Sequence, residues 1–426
     1  RQSGECCSYG RRSSRCDVNR SPSWHERQRT IFLIASGVST AGSFAGLTAK
    51  GWILMSGTDN AMLLALHFAA LSLPTLIVSG PAGVRTDRIG CEQVLIQAQW
   101  ALLGAGLLAA LSIPLLVGTA QVAVLLASTL LMGIASAYEL TARNKYCALL
   151  VDDPRTLAPY LTSFSVVFNV GKLVGPPLGG WLVALTGPAT ALSLDALTYF
   201  LPIASVIWLL KPNKSLEQLS SNTSAATLKS AWQECGPVLR HVLKFTGLIC
   251  VVGFFHPGLA PLIAANTLGP SPQDLGLFTS VLAAGSITGG IVLQRNSHKF
   301  SSHPGLTLGC FALITAVAQL GMASSTWIPI VLLMVWLIGA GTAGLLSSAN
   351  LITQVGSKQV IRGRMAGLSQ IAFLGGGGLS GLIAAQLTIT LGLQATFAIA
   401  GGIGLILSVG EIWRRGGMPM NEVKSA

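Results

Sequence analysis

Lys172 stands inside the stretch GKLVGPPLGG, residues 171–180, with SFSVVFNV before it and WLVALTG after it. An ammonium in so apolar a run must face an acid, an anion or water, because taking it out of water alone is costly. Few other residues here can do chemistry. Lys50 and His256 stand alone in apolar runs, Asp195 lies in SLDALTYF, and Asp87 and Arg88 lie in GVRTDRIG. Glu139 and Arg143 are four apart, in the order that favours an intrahelical ion pair. No His/Cys/Glu group has metal-ligand spacing and no GxxxxGK[ST] phosphate loop occurs. Neither a metal nor a cofactor is expected, and a membrane enzyme is disfavoured.

The elements that must position these residues follow from composition. Hydrophobic residues make up 51% of the 426 and charged residues 10%, with a mean hydropathy of +0.63. A soluble domain carries about a quarter charged residues, so this chain cannot cover itself with polar surface. Apolar runs of about 20 residues, each enough to cross a bilayer as a helix, recur between residues 30 and 413. Backbone groups in lipid must be satisfied internally, and alternating strands are absent, so the expected class is an all-α membrane protein. Twelve spans are predicted, at 30–55, 61–83, 93–116, 120–146, 157–186, 189–210, 240–266, 274–294, 305–324, 327–355, 365–390 and 393–413. A disordered tail is expected at 1–29, one six-helix bundle at 30–210, a polar linker at 211–239, a second bundle at 240–413 and a tail at 414–426.

Charge sets the orientation. All 27 Lys and Arg residues except Lys50 and Lys172 fall on one side of these spans or in the two tails. By the positive-inside rule that side, with both termini, is cytoplasmic. The net charge of +12 is then a matter of topology and contact with the lipid bilayer, and nucleic-acid binding is disfavoured. The eight cysteines show no paired spacing beyond Cys6 and Cys7 and are expected as free thiols.

The two halves repeat. GVRTDRIG at 83–90 and GIVLQRNS at 290–297 each place arginine five residues after glycine, and Gly187 and Gly392 each precede the last span of their half. Repeated six-helix halves are a transporter plan, with the substrate site where they meet. Here the residues bring a known family into view. GVRTDRIG resembles the signature between the second and third helices of the major facilitator superfamily, with Gly83, Asp87, Arg88 and Gly90 at its spacings. GKLVGPPLGG resembles the fifth-helix signature of that superfamily's antiporters, through Gly171, Gly175, Pro176, Gly179 and Gly180. LVGPPLGGWLVALTGPATALSLDALTYF and IRGRMAGLSQIAFLGGGGLSG are similar to its enterobactin-exporter branch.

Two departures qualify the likeness. Cys91, Glu92 and Gln93 follow the first signature where basic residues are usual, and Thr129 holds the place of a fourth-helix arginine familiar from proton-linked members. The resemblance implies a monomeric secondary transporter working by alternating access: a proton-driven exporter of a small amphipathic molecule such as a siderophore, drug or metabolite. An uptake symporter and a non-transporting binding protein are the alternatives. Gly171, Gly175 and Gly179 recur every four residues and form a bare stripe for close helix packing, with Pro176 bending the helix. Lys172 either holds the fold through a partner or faces the cavity. Lys50 is expected in the outer third of the first span, within reach of the outer interface. His256 is a cavity residue or a core histidine, Asp195 a residue of a peripheral helix. Glu139 is the expected proton-coupling carboxylate with Arg143 beside it, unless the pair only anchors the end of the fourth helix. Asp87 and Arg88 are expected in a gating loop opposite the start of the eleventh span near Arg364.

Overall fold

Apolar runs of this length satisfy their backbones only as helices, and every regular element among the described residues is helical. The computed structural model describes residues 24–58, 60–150, 154–209, 232–296, 303–357, 365, 367–369 and 371–415. Most of the expected N-terminal tail, most of the linker, the end of the C-terminal tail, and Lys211, Lys214, Lys229, Lys299, Lys358, Arg362 and Arg364 lie outside them.

The first half comprises α1 (Trp24–Thr58), α2 (Ala61–Ser72), α3 (Pro74–Ile89), α4 (Cys91–Leu115), α5 (Gly118–Leu149), α6 (Pro154–Thr186), α7 (Pro188–Thr198) and α8 (Phe200–Ala204). The second comprises α9 (Pro237–Gly253), α10 (Ala260–Thr267), α11 (Pro272–Arg295), α12 (Pro304–Ser324), α13 (Ile328–Gly356), α14 (Gly376–Leu391) and α15 (Leu393–Arg415). Ten stretches among the described residues are long and apolar enough to cross a membrane, α2–α3 and α7–α8 each acting as one. The expected fifth and seventh spans stand apart from those ten. The fifth is α6, one helix that runs unbroken through Pro176 and Pro177. The seventh is two helices, α9 and α10, because Pro257 withholds a backbone donor just where Gly258 lets Phe68 of α2 approach.

Outward faces are apolar, as lipid requires: Val117, Leu185 and Ile406 are 73–86% exposed. Inside the first half α1 packs on α6 and α4 on both α5 and α7; inside the second, α11 packs on α13 and α12 on α15. The halves meet along α6 with α11 and along α2 with α14. Glycine makes these seams possible. A β-carbon on Gly180 would lie 2.6 Å from the Gly276 Cα, and one on Gly378 would lie 2.6 Å from the Ser72 Oγ.

The repeat seen in sequence has a backbone counterpart. Gly187 and Gly392 take φ of 85° and 88° at equivalent turns, a region in which a side chain is strained. GVRTDRIG is not a loop, as expected, but the last turns of α3, which continues to Ile89 and breaks only at Gly90. Arg88 in that final turn suits the negative end of the helix dipole.

Candidate functional site

A cavity of about 2960 Å³ lies between the halves. It opens at the end that carries Arg85, Asp87, Arg88 and Lys145. At the opposite end Leu54 and Met55 of the first half pack with Phe255, Leu259, Phe278 and Phe397 of the second, all buried, and close it. Within the second half's part of this seal, the Phe255 and Phe397 rings lie 5.1 Å apart.

The glycine stripe of α6 sets the wall of the first half. β-Carbons on Gly171 and Gly175 would come within 2.8 and 2.5 Å of Thr40 and Phe44, and one on Gly179 would collide with the Ala45 carbonyl. The α6 backbone therefore rests directly on α1, and Pro176 turns its ring toward the cavity. This close approach places Lys172. Its Nζ lies 4.6 Å from the Phe373 ring and 5.8 Å from the Phe44 ring, at the cavity surface. Ring faces carry negative potential, so this seating suits a cation. Phe254 packs at 4.8 Å against Phe373 and at 4.9 Å against His256. His256 stands in the break between α9 and α10, not on a helix as expected, and is 3% exposed with Nδ1 lacking a hydrogen-bond partner.

Nearer the mouth, Arg143 Nη1 donates to Glu139 Oε1 at 3.0 Å, one turn apart on α5. The guanidinium also lies 5.6 Å from the Phe164 ring, and both partners line the cavity. At the mouth itself Asp87 accepts from Lys145 of α5, within the first half. Its expected counterpart near Arg364 lies outside the described residues. Gly83 lines the mouth with nothing within 4 Å of a β-carbon there. Gly90, with a φ of 89°, forms the turn into α4.

Lys50 overturns its expectation. It does not reach the outer interface: the side chain is wholly buried, and Nζ lies 2.9 Å from the Met132 sulfur. Asp195, on the helix expected to be peripheral, turns inward. It is 2% exposed, turned onto α1 at Gly46, and neither carboxyl oxygen has a hydrogen-bond partner. Gly46 and Lys50 are one turn apart, so absence of a side chain at 46 admits the acid toward the lysine. Tyr199, one turn beyond Asp195, exchanges a hydrogen bond with Ser43 of α1 at 2.8 Å.

Sequence reasoning passed over His67, though a single histidine in AMLLALHFAALS was visible. The ring is 4% exposed; Nε2 donates to the Leu47 carbonyl at 3.2 Å, which leaves Nδ1 of the neutral ring an acceptor 3.0 Å from the Thr129 hydroxyl, whose one hydrogen is shared with the Leu125 carbonyl at 2.9 Å. The position where an arginine was familiar thus holds a hydroxyl that orients a histidine.

The geometry is that of a membrane transporter: a central cavity, two repeated halves and one sealed end. The family model for transmembrane secretion effectors matches residues 21–422. The chain belongs to that family. It is a major facilitator family, whose members are transporters and not enzymes. Among curated relatives of this secretion effector, the multidrug efflux pump Tap of Mycolicibacterium fortuitum is 25% identical over 386 residues, covering 86% of this chain and 91% of that one. The staphyloferrin A transporter of Staphylococcus aureus is 21% identical over 267 residues, covering 62% and 66%. A solved D-xylose-proton symporter aligns with a TM-score of 0.71 at 15% identity over 90% of this chain and 98% of that one, a likeness of fold.

Proposed function

We propose that this protein is a proton-driven exporter that carries a small amphipathic molecule out of the cell by alternating access. The observation that carries this reading is the cavity between the halves, open at the basic end and sealed by apolar packing at the other. Basic loops favour the cytoplasmic face, so the open mouth faces the cytoplasm and the cavity loads from inside. Efflux by the relative Tap and the antiporter-like stripe of α6 support export over uptake.

Lys172, seated among Phe44, Phe254 and Phe373, gives the cavity a positive, aromatic-walled centre that favours anionic or strongly hydrogen-bonding substrates. Glu139, beside Arg143 on the wall nearer the mouth, is placed to hand a proton to cytoplasmic water. The test is a screen for resistance to toxic anionic and amphipathic compounds in an efflux-deficient host. Hits are then assayed in inside-out vesicles for uptake that collapses with an uncoupler. Uptake unaffected by the uncoupler would overturn proton drive, and inward accumulation by intact cells would overturn export.

A further inference from the structure

Export against a gradient needs a place to hold the coupling proton while the protein reorients, shielded from both solutions. Glu139 lies on the cavity wall and does not meet that need in this state. Lys50 and Asp195 do. We propose that this pair, buried between α1 and α7, is the site that holds the coupling proton. The proposal rests on the proton-driven reading and assigns it to residues.

Position is the first observation. Asp195 lies seven residues from the start of α7 and Lys50 eight from the end of α1, so at 1.5 Å per residue both sit roughly 10 Å below the sealed end. They lie behind the cavity wall, with His67, Met132 and Tyr199 between them and its water. When the seal opens, the pair lies within about three turns of helix of the outer solution, deeper than the capping acid Asp274 and buried.

Chemistry is the second. A buried carboxyl faced by one hydroxyl, that of Tyr199, with no hydrogen bond of normal geometry to either oxygen, and a buried lysine whose nitrogen meets a thioether, leave both groups poorly satisfied. Two arrangements relieve this. Asp195 can carry a proton, or its carboxylate can close into a direct ion pair with Lys50. The two differ by one proton and by the separation of α1 from α7. Since α1 also carries α6 on its glycine seam, that separation is linked to the rocking of the half.

Surroundings are the third. Facing the acid are Lys50 from α1, the Tyr199 hydroxyl from the turn after α7 and, beyond Lys50, His67 from α2. α4 meets α7 through Gly106 and Ala196, next to the acid, and α5 brings the uncharged Met132 to Lys50. Lys172 and the Glu139–Arg143 pair look onto the cavity. The proton enters from outside onto an Asp195 oxygen. It leaves through Tyr199 and Ser43 to cavity water and Glu139, and the carboxylate left behind pairs with Lys50.

The test needs no substrate. Spin labels on cysteines at positions 84 and 291, one in each half on the cavity lining near the mouth, are introduced in a background freed of native cysteine, and their distances are read in nanodiscs across pH. Wild type is expected to shift its distribution of open and closed mouths with pH. Asp195→Asn should lose that shift, and Asp195→Glu should keep it. A well-folded Asp195→Asn that retains the full response overturns the proposal. Infrared titration of the wild-type protein covers the case in which the variants fail to fold. A protonated-carboxyl band that persists in deuterated buffer and changes with pH is expected, and its absence from the wild type also overturns the proposal. Failure of the export reading would instead appear as wild-type protein that moves no compound in vesicles while both pH responses remain.

Discussion

A single ammonium decides how the cavity is read. Lys172 was visible in the sequence as a charge at the wrong depth, but what it touches was not, because Phe44 and Phe373 come from opposite halves of the chain. The same limit applies to Lys50 and Asp195. Their depths along the spans were legible; the rotation of α7 against α1, which turns the acid inward at Gly46, was not. Glu139 and Arg143 were legible because a four-residue spacing needs only one helix. Replacing Lys172 by Met keeps length and apolar bulk while removing charge, so binding of an aromatic carboxylate such as salicylate should weaken roughly ten-fold, the equivalent of about 1.4 kcal/mol. Binding measured by calorimetry that is equal in both proteins would remove Lys172 from recognition. Glu139→Gln keeps shape and loses the acid. Uncoupler-sensitive uptake into vesicles should vanish while substrate exchange across the membrane stays measurable, whereas intact gradient-driven uptake would leave Glu139 an anchor of α5.

Elements were read well where the signal was hydrophobic length and poorly where it was local backbone chemistry. Most span boundaries lie close to those expected, since about 20 apolar residues specify a crossing. The break between α9 and α10 was missed although Pro257 and Gly258 announced it, because a single proline is often accommodated within a membrane helix. The α3 extension through Asp87 was missed for the opposite reason: charged residues were taken to end the helix, yet Arg88 suits its last turn. The glycine stripe of α6 was legible as a four-residue period, and its partner α1 follows only from the packing. Gly175→Leu tests the stripe. A leucine must displace Phe44 and the Ala41 carbonyl, so α6 has to leave α1, at a cost of about 1–3 kcal/mol or more for overpacking. The protein should insert at normal abundance and transport should fall to background, while Gly83→Ala, where a β-carbon meets nothing within 4 Å, should transport normally.

At the scale of the whole molecule, transport requires two arrangements of nearly equal free energy, and the structure holds one of them. The apolar seal, in which Leu54 and Met55 of the first half cluster with Phe255 and Phe278 of the second, favours it, since this cluster joins the two halves only when that end is closed. The contact of Asp87 with Lys145 at the mouth lies within one half and does not resist opening. The balance therefore rests on the seal. Truncating a buried phenylalanine in a protein core costs about 3–5 kcal/mol, and part of that loss is specific to the sealed state. Every 1.4 kcal/mol that falls on one state alone shifts the two populations about ten-fold. Phe278→Ala, on the helix α11 that packs across the halves onto α6, should therefore move the protein toward the outward-open arrangement. A cysteine at position 260, buried beneath the seal, should react faster with a membrane-impermeant thiol reagent added from outside, and more slowly from inside. The change should be reciprocal, because the cavity can face only one solution at a time. Faster labelling from both sides would instead mean that the substitution loosens the fold, and unchanged rates would mean that the seal contributes equally to both states.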